Sequence, residues 1–211
     1  MKENEKERLK HMLEIEEDLY SKGYKLICGV DEAGRGPLCG PVVAAAVILK
    51  PDDMIEGVND SKKISPKKRE ELYEVIMNKA LAVGVGIKDV DVIEKVNILN
   101  ATKLAMKEAI ENLKVRPEYV LIDGNQMIDI DIKAQTVVSG DAKSESIAAA
   151  SIIAKVTRDR MLIEYDKKYP EYGFKNHKGY GTKAHIEAIK KYGLTPIHRK
   201  SFCTKFVKED K

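Results

Sequence analysis

Apolar and polar positions along this chain change period several times, and each change marks an element. Over residues 1–22, Leu9, Met12, Leu13 and Leu19 recur at helical spacing with charges between them, which predicts a helix. Residues 25–30 (KLICGV) and 42–49 (VVAAAVIL) are short apolar or β-branched runs bounded by Gly and Pro, and they predict strands. Ser65-Pro66 puts a capping hydroxyl before a proline at the first helical position, with Glu70, Leu72, Val75 and Ile76 following. Residues 81–87 read as a third strand. Residues 92–115 read as a helix with a break near Asn97, ended by Arg116-Pro117. Residues 119–122 and 134–138 supply two more strands, and residues 144–169 a long helix that stops before Pro170. The first half of that helix, SESIAAASIIA, is small and apolar nearly all round, so it should be buried.

Three early strands on short links predict an antiparallel meander, and two later strands separated by helices predict parallel additions. The expected fold is therefore α/β, a mixed five-stranded sheet flanked by helices. No repeat or low-complexity linker divides the chain. It reads as one unit over residues 1–211, with an N-terminal helical extension (1–25) and a C-terminal helical subregion from about residue 167 to 211.

Charge sharpens the picture of that subregion. The formal net charge is only +3, yet residues 167–211 hold 12 Lys and Arg against 4 Asp and Glu, together with seven of the twelve Tyr and Phe residues. Bases interleaved with rings suit a sugar-phosphate backbone and its bases, although a solvated Lys-rich surface would look much the same. The longest apolar runs fall short of the ~20 residues that cross a bilayer. No apolar segment follows the charges of MKENEKERLK, and Cys28, Cys39 and Cys203 show no CxxC spacing. The expectation is a cytoplasmic monomer with reduced thiols, and its end, KFVKEDK, shows no docking motif.

The candidate chemistry lies at strand ends. Asp31 and Glu32 stand where the first strand meets Gly34, Asp123 follows the apolar run YVLI, and Asp141 follows AQTVV just ahead of the buried helix. The crevice beyond strand ends is where open α/β sheets build sites. Four carboxylates gathered there repel one another, and oxygen-only donors favour a hard divalent cation, Mg2+ or Mn2+. Asp141 could equally cap a helix, and Asp123-Gly124 could be a plain turn. Neighbouring strand residues point to opposite faces, so Asp31 and Glu32 share a site only if the backbone bends; Gly34, Arg35 and Gly36 supply that bend, plus N–H donors and a guanidinium suited to phosphate.

In order and spacing, ICGVDEAGRGPLCGPVVAAAVIL, NDSKKIS, YVLIDGN, SGDAKSESIAAASIIAKVTRDR, HKGYGT and HRKSF resemble the bacterial ribonuclease HII family over nearly the whole chain. The resemblance implies the ribonuclease H-like fold and cleavage of RNA in RNA–DNA hybrids, including a nick 5′ of a single ribonucleotide in duplex DNA, leaving 5′-phosphate and 3′-hydroxyl ends. It implies two metal ions on the positions matching Asp31, Glu32, Asp123 and Asp141. It assigns Gly34, Arg35 and Gly36 to the backbone around the ribose 2′-OH, and Tyr180 to the nucleotide at the RNA-to-DNA junction. A tyrosine merely packed in a Gly-rich turn is the plainer reading of GYG. Lys62, Lys143 and Lys183 sit beside motif residues as candidate phosphate contacts, and His198 and Arg199 either line a nucleic-acid face or brace it. The related ribonuclease HIII carries Gly-Lys-Gly in place of Gly-Arg-Gly, so Arg35 disfavours it, and another metal nuclease of this fold would have no use for GRG with GYG.

Overall fold

Strands β1 (Ile27–Ala33), β2 (Val42–Ile48) and β3 (Ala82–Lys88) pair antiparallel, while β4 (Tyr119–Asp123) and β5 (Lys133–Val137) add in parallel on the other side of β1. The sheet order is β3-β2-β1-β4-β5, the mixed five-stranded sheet expected from the spacing of the strands. This computed structural model describes residues 2–51 and 53–207; residue 1, residue 52 and residues 208–211, the end of the KFVKEDK tail, lie outside the described residues.

Helices α1 (Glu3–Ser21), α2 (Pro66–Lys79) and α4 (Glu145–Lys168) cover one sheet face, and α3 (Val90–Glu111) covers the other. Covered on both faces, β2 is buried at every position, which is why its sequence is an unbroken apolar run rather than an alternation. Short helices α5 (Phe174–His177), α6 (Lys183–Tyr192) and α7 (Lys200–Cys203) gather a third apolar cluster against Leu162 of α4.

Three local features set the site. First, α3 is interrupted at Asn97 (φ 67°, ψ 166°), whose side chain accepts from Asn100 N–H at 3.1 Å and so starts the second half of the helix. Second, the start of α4 lies directly on β1: a β-carbon on Gly29 would stand 2.1 Å from the Ser146 carbonyl carbon. Third, Ser144 caps α4 through Ile147 N–H, and its hydroxyl donates to Glu16 Oε1 at 2.6 Å. Ser146 adds a hydroxyl and an N–H to the same oxygen, which fastens α1 to the start of α4. Residues 145–154 are buried without a gap, as their composition requires.

Candidate active site

The strand bearing the acid pair runs three residues further than periodicity suggested. The ladder with β2 continues through Asp31↔Ala45, Glu32↔Ala44 and Ala33↔Val43, so both acids are still strand residues and the bend comes after them, at Gly34 (φ 100°). On the other side, Val30 pairs with Ile122 in parallel, which brings Asp31 and Asp123 to the same carboxyl edge of the sheet. Beyond β5 the chain turns through Ser139 (φ 57°) into a single 3-10 turn, Gly140–Ala142, that carries Asp141. Gly140 N–H donates to Asp123 Oδ1 at 2.7 Å, tying the second and third acid positions together. Ser144, not Asp141, caps the helix, and the Asp141 carboxylate lies near Asp60 and Asp123 but outside the residues that line the cleft.

The electrostatics are those of crowded like charges. Burial first, then Glu32, Asp123 and Asp141, push Asp31 well above the usual carboxylate range, although Glu32 N–H donates to its Oδ1 at 2.7 Å. Burial and Asp123 raise Glu32, against the pull of Arg35 3.4 Å away and of Lys62. Asp141 is raised by burial, by Asp60 and by Asp123. Burial lowers the Lys62 ammonium, but Asp31, Asp60, Asp141 and Asp123 outweigh that and hold it above its ordinary value.

Asp31, Glu32, Gly34, Arg35, Gly36, Lys62 and Tyr180 line one open cleft of about 460 Å³, together with Ser61, Ile98, Lys155 and Phe202. A smaller recess beside it joins Glu32 and Arg35 to Asp123 and Gly124. A larger hollow, about 600 Å³ beside the first turn of α3, lies away from the acid cluster, so size alone does not find the site. Lys143 and Lys183 are exposed and outside the cleft lining, and Lys183 faces Glu187 at 3.9 Å. Sequence reasoning missed Asp60 and Lys155. Asp60 hides in NDSKK, where an Asx turn is the ordinary reading, and its side chain does accept from Lys62 N–H at 2.9 Å. Lys155 lies on the buried helix, paired with Asp159 at 2.7 Å.

Among the described residues, only Cys39, His185 and His198 bring three ligand-type atoms within 4.8 Å of one another. The hydrogen bonds there exclude a ligand set. Thr195 N–H donates to His198 Nδ1 (2.9 Å), so His198 carries its proton on Nε2 and donates it to His185 Nε2 (3.1 Å). His185 Nδ1 then donates to the Tyr180 carbonyl (2.9 Å). Burial pushes both imidazoles down to about 4, so the chain of donors is neutral, with no lone pair free on His198. The thiols of Cys28, Cys39 and Cys203 are buried and free.

The family model of ribonuclease HII matches residues 28–205. A ribonuclease HII of Acetivibrio thermocellus is 61% identical over 205 residues, 97% of this chain and 80% of that protein. Among solved structures, ribonuclease H2 of Pyrococcus horikoshii matches with a TM-score of 0.72 at 29% identity, covering 86% of this chain and 96% of that one. A chain from the PCNA:RNase HII complex of Archaeoglobus fulgidus matches at 0.73 and 27% identity, covering 87% and 97%. With its sheet and helices arranged as in those structures, this chain belongs to the ribonuclease HII family, enzymes that cleave the RNA strand of RNA–DNA hybrids.

Proposed function

We propose that this ribonuclease also nicks duplex DNA on the 5′ side of a single embedded ribonucleotide, working as a cytoplasmic monomer with two divalent cations. The observation that carries the reading is the acid cluster at one sheet edge: Asp31 and Glu32 line the cleft, Gly140 N–H ties Asp123 to the turn that bears Asp141, and burial together with Asp123 raises Asp31, Glu32 and Asp141, against the pull of Lys62 and Arg35. Asp31, Glu32, Asp123 and Asp141 would hold the ions, and an all-oxygen donor set fits Mg2+ or Mn2+. Bound there, such ions supply an activated water and stabilise the leaving 3′ oxygen.

The chain's own residues do the rest. Gly34–Gly36 face the cleft beside the acids, so backbone N–H groups and the Arg35 guanidinium can hold the sugar-phosphate strand against the reacting phosphorus. The Tyr180 ring, 46% exposed, stands across from Gly36, where a β-carbon would be 3.8 Å from its Cε1. A flat ring facing a loop of N–H donors can stack on a sugar or base while the loop contacts the 2′-OH. Recognition of this kind reads ribose and duplex shape, not base sequence.

A labelled duplex with one ribonucleotide, beside an all-DNA control, tests the reading in Mg2+, Mn2+ or chelator. One cut 5′ of the ribonucleotide, dependent on metal and lost in Asp123→Asn, is expected. Binding without cutting in every metal would leave a hybrid-binding module, and cutting of the control would remove ribose reading from the Gly-Arg-Gly loop.

A further inference from the structure

Arg199 lies in the most basic part of the chain, where an arginine is ordinarily read as a phosphate contact. Its surroundings rule that out. It has no solvent exposure, and all five of its N–H donors are in use within the protein. Nε and Nη2 donate to Gly40 O at 3.0 and 2.8 Å, Nη1 donates to Arg35 O and Pro37 O at 2.9 Å each, and Nη2 also donates to Gly34 O at 2.6 Å. No donor remains for a nucleic acid. In a trans peptide the N–H points opposite to the carbonyl. Holding the Gly34 and Arg35 carbonyls therefore turns the N–H groups of Arg35 and Gly36 away from Arg199, toward the cleft that both residues line.

The backbone around Arg199 completes the grip. Its N–H donates to Leu38 O and Gly40 N–H donates to Ile197 O, each at 2.8 Å, so residues 197–199 lie alongside the loop like an added strand. His198, next to Arg199, reaches the Tyr180 carbonyl through His185. One short strap thus holds the Gly-Arg-Gly loop with one side chain and Tyr180 with its neighbour.

We propose that Arg199 is a positioning residue for ribose recognition, fixing the N–H groups of the Gly-Arg-Gly loop against Tyr180 through four carbonyls and never touching the substrate. This rests on the reading that the loop and Tyr180 recognise the ribonucleotide. Arg199→Lys keeps the charge but offers three donors from a single point, which cannot serve four carbonyls. On the single-ribonucleotide duplex its kcat should fall about 100-fold, the usual consequence of a reacting group displaced by about 1 Å. The slope of log Kd against log salt, measured in Ca2+ without cleavage, should match the wild type. A lost phosphate contact would reduce that slope by about 0.9 and overturn the proposal; so would an unchanged kcat. Should the variant fail to fold, wild-type protein still decides the matter: the Arg199 Nε–H resonance should exchange slowly and stay in place on duplex binding while that of Arg35 moves, and a shift of Arg199 like that of Arg35 overturns the role. Wild-type enzyme that cuts all-DNA and ribonucleotide duplexes alike would instead sink the reading of the loop itself.

Discussion

Adding one methyl group at Gly29 tests how tightly the acids depend on the contact between α4 and β1. An alanine β-carbon would stand 2.1 Å from Ser146 C, 2.3 Å from Ile147 N and 2.5 Å from Ser146 O, all backbone atoms of the first turn of α4. Ordinary contact begins at 3.4 Å, so the helix start must retreat by about 1.3 Å. It has nowhere easy to go, because Ser144 and Ser146 are fastened to Glu16 and residues 147–150 are fully buried. Overpacking of this kind costs about 1–3 kcal/mol. At the upper end, expected where backbone rather than a side-chain tip must yield, Tm falls by about 6–12 °C for a chain of this length. Asp31 lies two residues beyond Gly29, and Asp141 three residues before the helix cap, so the retreat moves the third acid relative to the first. A shift near 1 Å costs on the order of 100-fold in rate. Thermal melting in chelator and single-turnover cleavage would measure both effects. A Gly29→Ala enzyme melting within about 1 °C of wild type, with kcat within threefold, would refute the idea that this contact sets the acid geometry.

Four further outcomes follow from the same geometry. Burial raises Glu16, Glu145 (to about 7), Asp31, Glu32 and Asp141, so the folded chain binds more protons than the unfolded one above the ordinary carboxylate range. Stability in chelator should therefore fall as pH rises from about 5 to 8, and a Tm that is level or rising over that window would contradict it. Ser144→Ala removes both the α4 cap and a donor to buried Glu16; a loss of about 2 kcal/mol, or about 4–8 °C in Tm, is expected, and calorimetry that finds none would show the cap to be idle. Tyr180→Phe should keep cleavage within a few-fold, whereas Tyr180→Ala should lose roughly 10- to 100-fold, the range of one base stacked on a ring; equal losses would point to the hydroxyl instead. Lys62→Ala leaves the acids less compensated, so apo-protein Tm should drop while divalent-cation affinity rises or holds; weaker cation binding would be incompatible with Lys62 as a counter-charge.

Much of the framework was legible because local signals were unopposed. Ser65-Pro66 caps its helix as its side chain allows, and the helix breaks at Asn97 as expected, although at φ 67° and ψ 166° that residue lies outside the αL region asparagine readily adopts. The four acids could be placed at strand ends from spacing alone. How Asp31 and Glu32 come to lie near Asp123 was not legible, because it depends on the parallel register Val30↔Ile122, a pairing of residues 92 apart. Asp60 was missed because its motif has a sufficient local explanation as a turn, and only the fold brings it toward Asp141.

The basic residues show the same limit in a sharper form. A sequence count treats every arginine as available charge, but availability depends on whether its donors are already engaged. Arg69 donates to Ser61 O and Ile64 O at 2.5 Å each, behind the loop that presents Lys62. Arg158 donates to the carbonyls of Cys39, Pro41 and Lys178 at 2.9–3.0 Å, and a β-carbon on Gly34 would lie 2.2 Å from its Nε. With Arg199, each of three buried guanidiniums holds the carbonyls of a loop at or behind the cleft. Each still adds a positive charge to the field that draws a polyanion toward the acids, since a charge needs no contact to act through low dielectric. Their fields favour nucleic-acid approach, while their hydrogen bonds hold the binding loops in shape. On the proposed reading the exposed Arg35 and Lys62 make the contacts, so removing their charge should change the salt dependence of binding, whereas Lys in place of each buried arginine, which keeps the charge, should not.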